Sequence, residues 1–173
     1  GPFTPEVALI YPDALREFAA QLIQQNQMPE ALLRLTLSRG VSPRGYSPKG
    51  ANHPVIVMAL HPAANIDPKN PPRWRLITSS VRLPANELLA QFKTCNKLPQ
   101  ILARAEADAA GADEALLLNT NGDVVEAASS NLFWIENEAV CTPPLVSGIL
   151  PGVTRAVVLE ICRALGIPTK EKL

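Results

Sequence analysis

The chain has 173 residues, 47% of them hydrophobic and 18% charged, enough for one ordinary domain or two small ones and too apolar to be disordered by composition. Sixteen Lys and Arg balance sixteen Asp and Glu, so charge gives no reason to expect nucleic acid or an anionic membrane as partner. Cys95, Cys141 and Cys162 have no metal-ligand spacing and suit reduced thiols in a cytoplasmic protein.

The sequence is expected to carry no signal peptide, and none of its apolar runs is long enough to span a bilayer. The opening Gly-Pro-Phe-Thr-Pro lacks Met, which fits a processed, tagged or excised chain. Residues 13–26 read as an amphipathic helix, with Ala14, Leu15, Phe18, Ala19, Leu22 and Ile23 on one face and Asp13 as its cap. Residues 31–38 alternate as a strand, with Leu33, Leu35 and Leu37 on one side. Arg39 to Tyr46 form a Gly- and Pro-bearing loop. Its arginines and Tyr46 suit a carboxylate, although a solvated loop is the ordinary alternative. Residues 54–60 are continuously apolar and predict a buried strand. Four prolines with Asn and Asp between His61 and Pro72 mark the best linker. The expected organisation is 1–62, a linker at 63–72, and 73–173.

Residues 73–81 look like a strand. From Ala85 to Ala110 the pattern is helical, broken by Pro99, which suits a first turn. Lys93 and Asn96 then fall in an irregular turn, Leu98, Ile101, Leu102 and Ala105 share a face, and Gly111 ends the helix. Leu116–Leu118 and Val124–Val125 read as strands around Asn121-Gly122, a strong hairpin signal. A second hairpin joins 132–135 to 139–142. The last helix starts at Pro151, turns Val153, Val157, Val158 and Ile161 inward, and stops at Gly166 and Pro168.

Three features carry chemistry. Lys93 follows Phe92 in an apolar context, unlike Lys97, and burial would favour its neutral, nucleophilic amine; the ordinary alternative is an exposed helix lysine. Glu126 interrupts Val124-Val125-Glu-Ala127-Ala128. A strand-end acid among small residues can approach a ring nitrogen, or it can simply face solvent. Gly152-Val153-Thr154 opens a helix, where free N–H groups, the helix dipole and the Thr154 hydroxyl suit a phosphate.

In order and spacing, Lys93-Thr-Cys-Asn96, Glu126-Ala-Ala-Ser-Ser-Asn131-Leu-Phe133 and Leu150-Pro-Gly-Val-Thr-Arg155 resemble the class IV aminotransferases, the fold-type IV pyridoxal phosphate enzymes. The resemblance implies an α+β, two-domain architecture, truncated here at both ends, and a homodimer. The segment 1–62 would be the remainder of the small N-terminal α/β domain, and 73–173 an incomplete pyridoxal phosphate domain. Lys93 would be the Schiff-base lysine and proton shuttle, and Glu126 the partner of the ring nitrogen. Gly152, Val153 and Thr154 would hold the phosphate, and Leu150 would pack on the ring. Ser129, Ser130 and Asn131 would lie beside the cofactor, and Arg44 and Tyr46 would meet the substrate carboxylate. No metal is implied. Asn96-Lys97-Leu98, Arg44-Gly45-Tyr46 and Asn131-Leu-Phe-Trp134 lean toward the 4-amino-4-deoxychorismate lyases of folate synthesis. A branched-chain or D-amino-acid transaminase is the alternative within the family, and a truncated, non-catalytic chain the alternative outside it.

Overall fold

The computed structural model describes residues 12–173. The chain divides into two compact units between Pro71 and Pro72, each described by itself. In the N-terminal unit, helix α1 (Pro12–Asn26) precedes strands β1 (Ala31–Ser38) and β2 (Val55–Pro62). Asp13, expected as the cap, lies inside the first turn, where its charge suits the positive end of the helix. The strands pair antiparallel from Ala31↔Pro62 to Ser38↔Val55. The run 54–60, expected to be buried, is exposed or half-buried, because its sheet has two strands. α1 shares with β2 an apolar hollow of about 300 Å³ lined by Leu15, Phe18, Leu22, Ile56 and Met58. The loop between the strands needs Gly40: its φ is +100°, and a Cβ there would fall on the His53 carbonyl oxygen.

The C-terminal unit contains β3 (Leu76–Leu83), a 3-10 turn at Leu88–Gln91, α2 (Leu98–Ala109), β4 (Glu114–Asn119), β5 (Val124–Ala127), β6 (Trp134–Glu136), β7 (Ala139–Thr142), α3 (Val153–Ala164) and β8 (Thr169–Glu171). One sheet has the order β3-β4-β5 and the other β6-β7-β8. β3 runs parallel to β4, with α2 as the crossover that a parallel pair requires. Both hairpins form as expected: β5 returns antiparallel to β4 and β7 to β6. β8 is an addition to the expected elements; it pairs parallel to β7. Arg155 of α3 holds it by an ion pair with Glu171, and Lys172 reaches Glu136 at 2.7 Å.

The core of this unit is Leu83, Ala103, Ala107, Ala112, Ala115, Leu117, Val125 and Ile149. α2 meets the sheet with alanines rather than the expected leucine face. Leu98, Ile101 and Leu102 are at least half exposed. Ala103 and Ala107 are fully buried because small residues let the helix approach closely. Glu106 completes the dock: Ser79 donates to its carboxylate at 2.6 Å and the Ser80 N–H at 2.8 Å. These bonds hold the carboxyl below the usual glutamate range. Pro99 sits in the first turn of α2. Gly111, at φ +63°, closes the helix with Ala112 N–H on the Ala107 carbonyl at 2.8 Å, a left-handed helix close.

The inward face expected for α3 is also corrected. Val153 is 82% exposed, and Val157 and Ile161 are more than two-fifths exposed. Arg155 and Cys162, two turns apart, are buried instead. Burial of the Arg155 guanidinium is offset by the Pro143 carbonyl at 3.0 Å and by Glu171. No described helix is long and apolar enough to cross a membrane.

The alanine dock makes a direct prediction. Ala107→Leu should cost about 1–3 kcal/mol by overpacking, whereas Ala105→Leu, on the exposed side, should change stability by less than about 0.5 kcal/mol. Urea unfolding of both variants checks it; equal effects would contradict this packing.

Candidate active site

The β4–β5 hairpin carries the acid. Asn119 is buried and organises the turn: its side-chain oxygen accepts the Asn121 and Asp123 N–H groups, both at 3.0 Å. Gly122 supplies the left-handed residue at φ +91°. The register then sets Glu126 opposite Leu117, deep in the unit, where Glu126 is only 9% exposed. Its Oε2 accepts the Leu150 N–H at 3.1 Å. No hydrogen bond reaches its Oε1 among the described residues. Burial pushes the carboxyl above the usual glutamate range. The Leu150 hydrogen bond and the charges of Lys97 and then Lys93 partly offset that push.

Leu150 is held from both ends of its residue. While Glu126 takes its N–H, the Asn131 side-chain amide donates to its carbonyl at 2.9 Å. Asn131 comes back to Glu126 by a β-bridge, so the end of β5 and the short loop after it supply the two grips. The Gly152 N–H also donates to the Leu150 carbonyl, at 2.8 Å. A Cβ on Gly152 would fall on the Asn131 side-chain oxygen and push that side chain from its place. Gly152 is the N-cap of α3 and brings no side-chain cap. The N–H groups of Val153 and Thr154 therefore begin a helix whose positive end is open, with both residues exposed.

Lys93 lies between the 3-10 turn and α2. Of the helical pattern expected from Ala85, the part before α2 is helical only at Leu88–Gln91, where the Glu87 side chain caps the turn by accepting the Leu89 N–H at 3.0 Å. Phe92 is then extended, with φ −118° and ψ 131°. In extended chain successive side chains point opposite ways: Phe92 is half-buried and Lys93 is exposed. The apolar surroundings expected for Lys93 are thus corrected. Lys97, which sequence reasoning sets aside, is the half-buried one and acts more strongly on Glu126 than Lys93 does. Its place at the N-cap of α2 is the signal that could have found it.

Ser129 and Ser130 are exposed. The Ser129 hydroxyl donates to the buried Glu114 at 2.6 Å, and the Ser130 carbonyl accepts the Ala127 N–H at 2.8 Å. Sequence reasoning misses Glu114, because nothing local marks its tie to a residue across the hairpin. Arg44 and Tyr46 belong to the N-terminal unit, on the exposed loop between β1 and β2. Among the described residues, no group of three His, Cys, Asp or Glu is placed to hold a metal ion.

The model of amino-transferase class IV matches residues 9–172. The chain belongs to the class IV aminotransferase family. Its α+β fold agrees with that membership. The branched-chain amino acid aminotransferase of Escherichia coli superposes with a TM-score of 0.81 at 28% identity, over 92% of this chain and 54% of that one. Another branched-chain amino acid aminotransferase, from T.th., was solved in complex with N-(5'-phosphopyridoxyl)-L-glutamate. It superposes with a TM-score of 0.78 at 31% identity, over 94% of this chain and 53% of that one. A putative branched-chain-amino-acid aminotransferase of Methanocaldococcus jannaschii is 35% identical over 153 residues, 88% of this chain and 52% of the relative. An aminodeoxychorismate lyase of Vibrio harveyi is 35% identical over 141 residues, 78% of this chain and 50% of the relative. The chain therefore spans about half the length of the curated relatives it matches.

Within this family member the buried acid makes a signed prediction. Because burial raises the folded value for Glu126, the folded chain binds more proton than the unfolded chain between the ordinary glutamate range and that raised value. Its contribution to stability is therefore lost as pH rises through that window. Glu126→Gln keeps an acceptor for the Leu150 N–H and removes the titration. Urea unfolding from about pH 4 to about pH 8 should show the Gln variant gaining on the wild type as pH rises, then levelling off. A difference that stays flat would contradict a desolvated Glu126.

Proposed function

We propose that residues 73–173 form the pyridoxal 5'-phosphate domain of an enzyme of this family, with 1–62 as the remainder of its small N-terminal domain and 63–72 as the linker. The observation that carries the reading is the grip on Leu150. It sets a buried carboxylate with one unengaged oxygen just before an uncapped helix start. The residues fit the cofactor: the open α3 N-terminus suits a phosphate dianion, and Glu126 suits a protonated ring nitrogen.

When bound, pyridoxal phosphate supplies an aldehyde that captures an amino group and a ring that takes up electrons from the bond being broken. Lys93 would provide the amine for that aldehyde and would carry the proton alpha to the substrate nitrogen. Glu126 would pair with the ring nitrogen and favour its positive charge. Gly152 opens the helix, and Val153 and Thr154 would hold the phosphate through their N–H groups and the Thr154 hydroxyl. Leu150 would pack on the ring. Ser129, Ser130 and Asn131 form the loop beside it, with Asn131 fixing Leu150. Arg44 and Tyr46 take the substrate carboxylate.

We favour 4-amino-4-deoxychorismate lyase, which releases pyruvate and leaves 4-aminobenzoate, a folate precursor. The near matches at Arg44-Gly45-Tyr46, Asn96-Lys97-Leu98 and Asn131-Leu132-Phe133-Trp134 support it, as does the similarity to the Vibrio harveyi lyase. The second reading is a branched-chain or D-amino-acid transaminase, favoured by the longer match to the Methanocaldococcus jannaschii protein. In either case we propose a cytoplasmic homodimer. The free thiols Cys95, Cys141 and Cys162 accord with a reducing compartment.

Borohydride reduction in the presence of pyridoxal phosphate, followed by peptide mapping, tests the site. An adduct is expected on the Lys93 peptide and none in Lys93→Ala, with activity falling by at least about 10²–10⁴-fold. An adduct confined to another lysine, or none, would contradict the reading. Pyruvate release from 4-amino-4-deoxychorismate without added 2-oxo acid then separates lyase from transaminase.

A further inference from the structure

We infer that Glu114 is a positioning residue: through Ser129 it fixes the turn after β5 that brings Asn131 onto Leu150 beside Glu126. Its link to catalysis rests on reading that cluster as the cofactor site. Glu114 opens β4 and is 2% exposed. A buried carboxylate is costly unless its oxygens are engaged. Both are: Oε1 accepts the Ala115 N–H at 2.8 Å and Oε2 the Ser129 hydroxyl at 2.6 Å, the length of a charge-assisted O–H···O bond.

The register shows what this bond does. Leu117↔Glu126 and Leu116↔Ala127 continue through Ala128 N–H on the Ala115 carbonyl at 2.9 Å, which puts Ser129 opposite Glu114. β5 ends at Ala127. Beyond it the chain turns, with Ala127 N–H on the Ser130 carbonyl, and Asn131 bridges back to Glu126. Ser129 and Ser130 are exposed, so apart from Ala128, which packs against the core, apolar packing does little to hold this turn. Its ties to β4 are the Ala128 hydrogen bond and the Glu114–Ser129 bond. The second is the one that a side chain controls. Removing it frees the turn to shift and loosens the Asn131 grip on Leu150, so Leu150 is held less firmly against Glu126, next to the start of α3.

The test compares Glu114→Ala, Ser129→Ala and Glu114→Gln with wild type in the full-length protein. It reads amide hydrogen exchange at Leu150 without cofactor, then the dissociation constant for pyridoxal phosphate. Loss of one charge-assisted hydrogen bond corresponds to about a tenfold effect. Glu114→Ala and Ser129→Ala should each raise exchange at Leu150 and weaken pyridoxal phosphate binding by about that factor. The core amides of Leu117 and Val125 should keep their protection. Glu114→Gln, which can accept from Ala115 and donate to Ser129, should restore both readouts. Ser129→Ala removes only an exposed hydroxyl and leaves Glu114 its Ala115 N–H, so it decides the matter even if Glu114→Ala unfolds. Unchanged Leu150 exchange in Ser129→Ala would overturn the positioning role. If the variants show the exchange effect but the wild type binds no pyridoxal phosphate, the positioning role stands and the cofactor reading is refuted.

Discussion

The candidate site of the C-terminal unit is organised around one backbone residue held at both ends. The Leu150 N–H goes to Glu126 and its carbonyl to Asn131. Glu126 and Asn131 are five residues apart in sequence and bridge to each other. A side-chain acceptor and a side-chain donor thus join a strand end to a helix start. Glu126 tolerates burial through the Leu150 hydrogen bond and the nearby charges of Lys97 and Lys93. Gly152, at the uncapped helix start, lies beside the Asn131 side chain.

Much of the fold is legible in the sequence because it obeys local periodicity and turn chemistry. β1 covers the predicted residues, Pro99 lies in the first turn of α2, Gly111 ends that helix, and both hairpins form. The departures share a cause. An apolar stripe is expected to face inward, yet α2 docks through Ala103 and Ala107, and α3 through Arg155 and Cys162. Alanine contributes little to a hydrophobic stripe. A buried arginine is visible only from its partners, the Pro143 carbonyl and Glu171, which lie far along the chain. β8 carries no signal, since Thr169, Lys170 and Glu171 are all exposed and the strand exists by pairing with β7.

The candidate site divides the same way. Glu126 interrupts an apolar run, and Gly152-Val-Thr opens a helix; both are local signals. The exposure of Lys93 is not local: it depends on where the 3-10 turn stops and on the extended Phe92. The tie from Ser129 to Glu114 depends on strand register, which the sequence does not state. Asn131 reads from the sequence as a residue beside the cofactor, and the structure adds that its amide grips the Leu150 carbonyl. These polar ties are long-range, and they set the geometry between the two legible motifs.

The most direct measurement is a crystal structure of the protein with pyridoxal phosphate. The account predicts the phosphate at the Val153 and Thr154 N–H groups, the ring nitrogen beside the unengaged oxygen of Glu126, and the aldehyde carbon joined to Lys93. A phosphate seated elsewhere, or a ring whose nitrogen has no contact with Glu126, would contradict it.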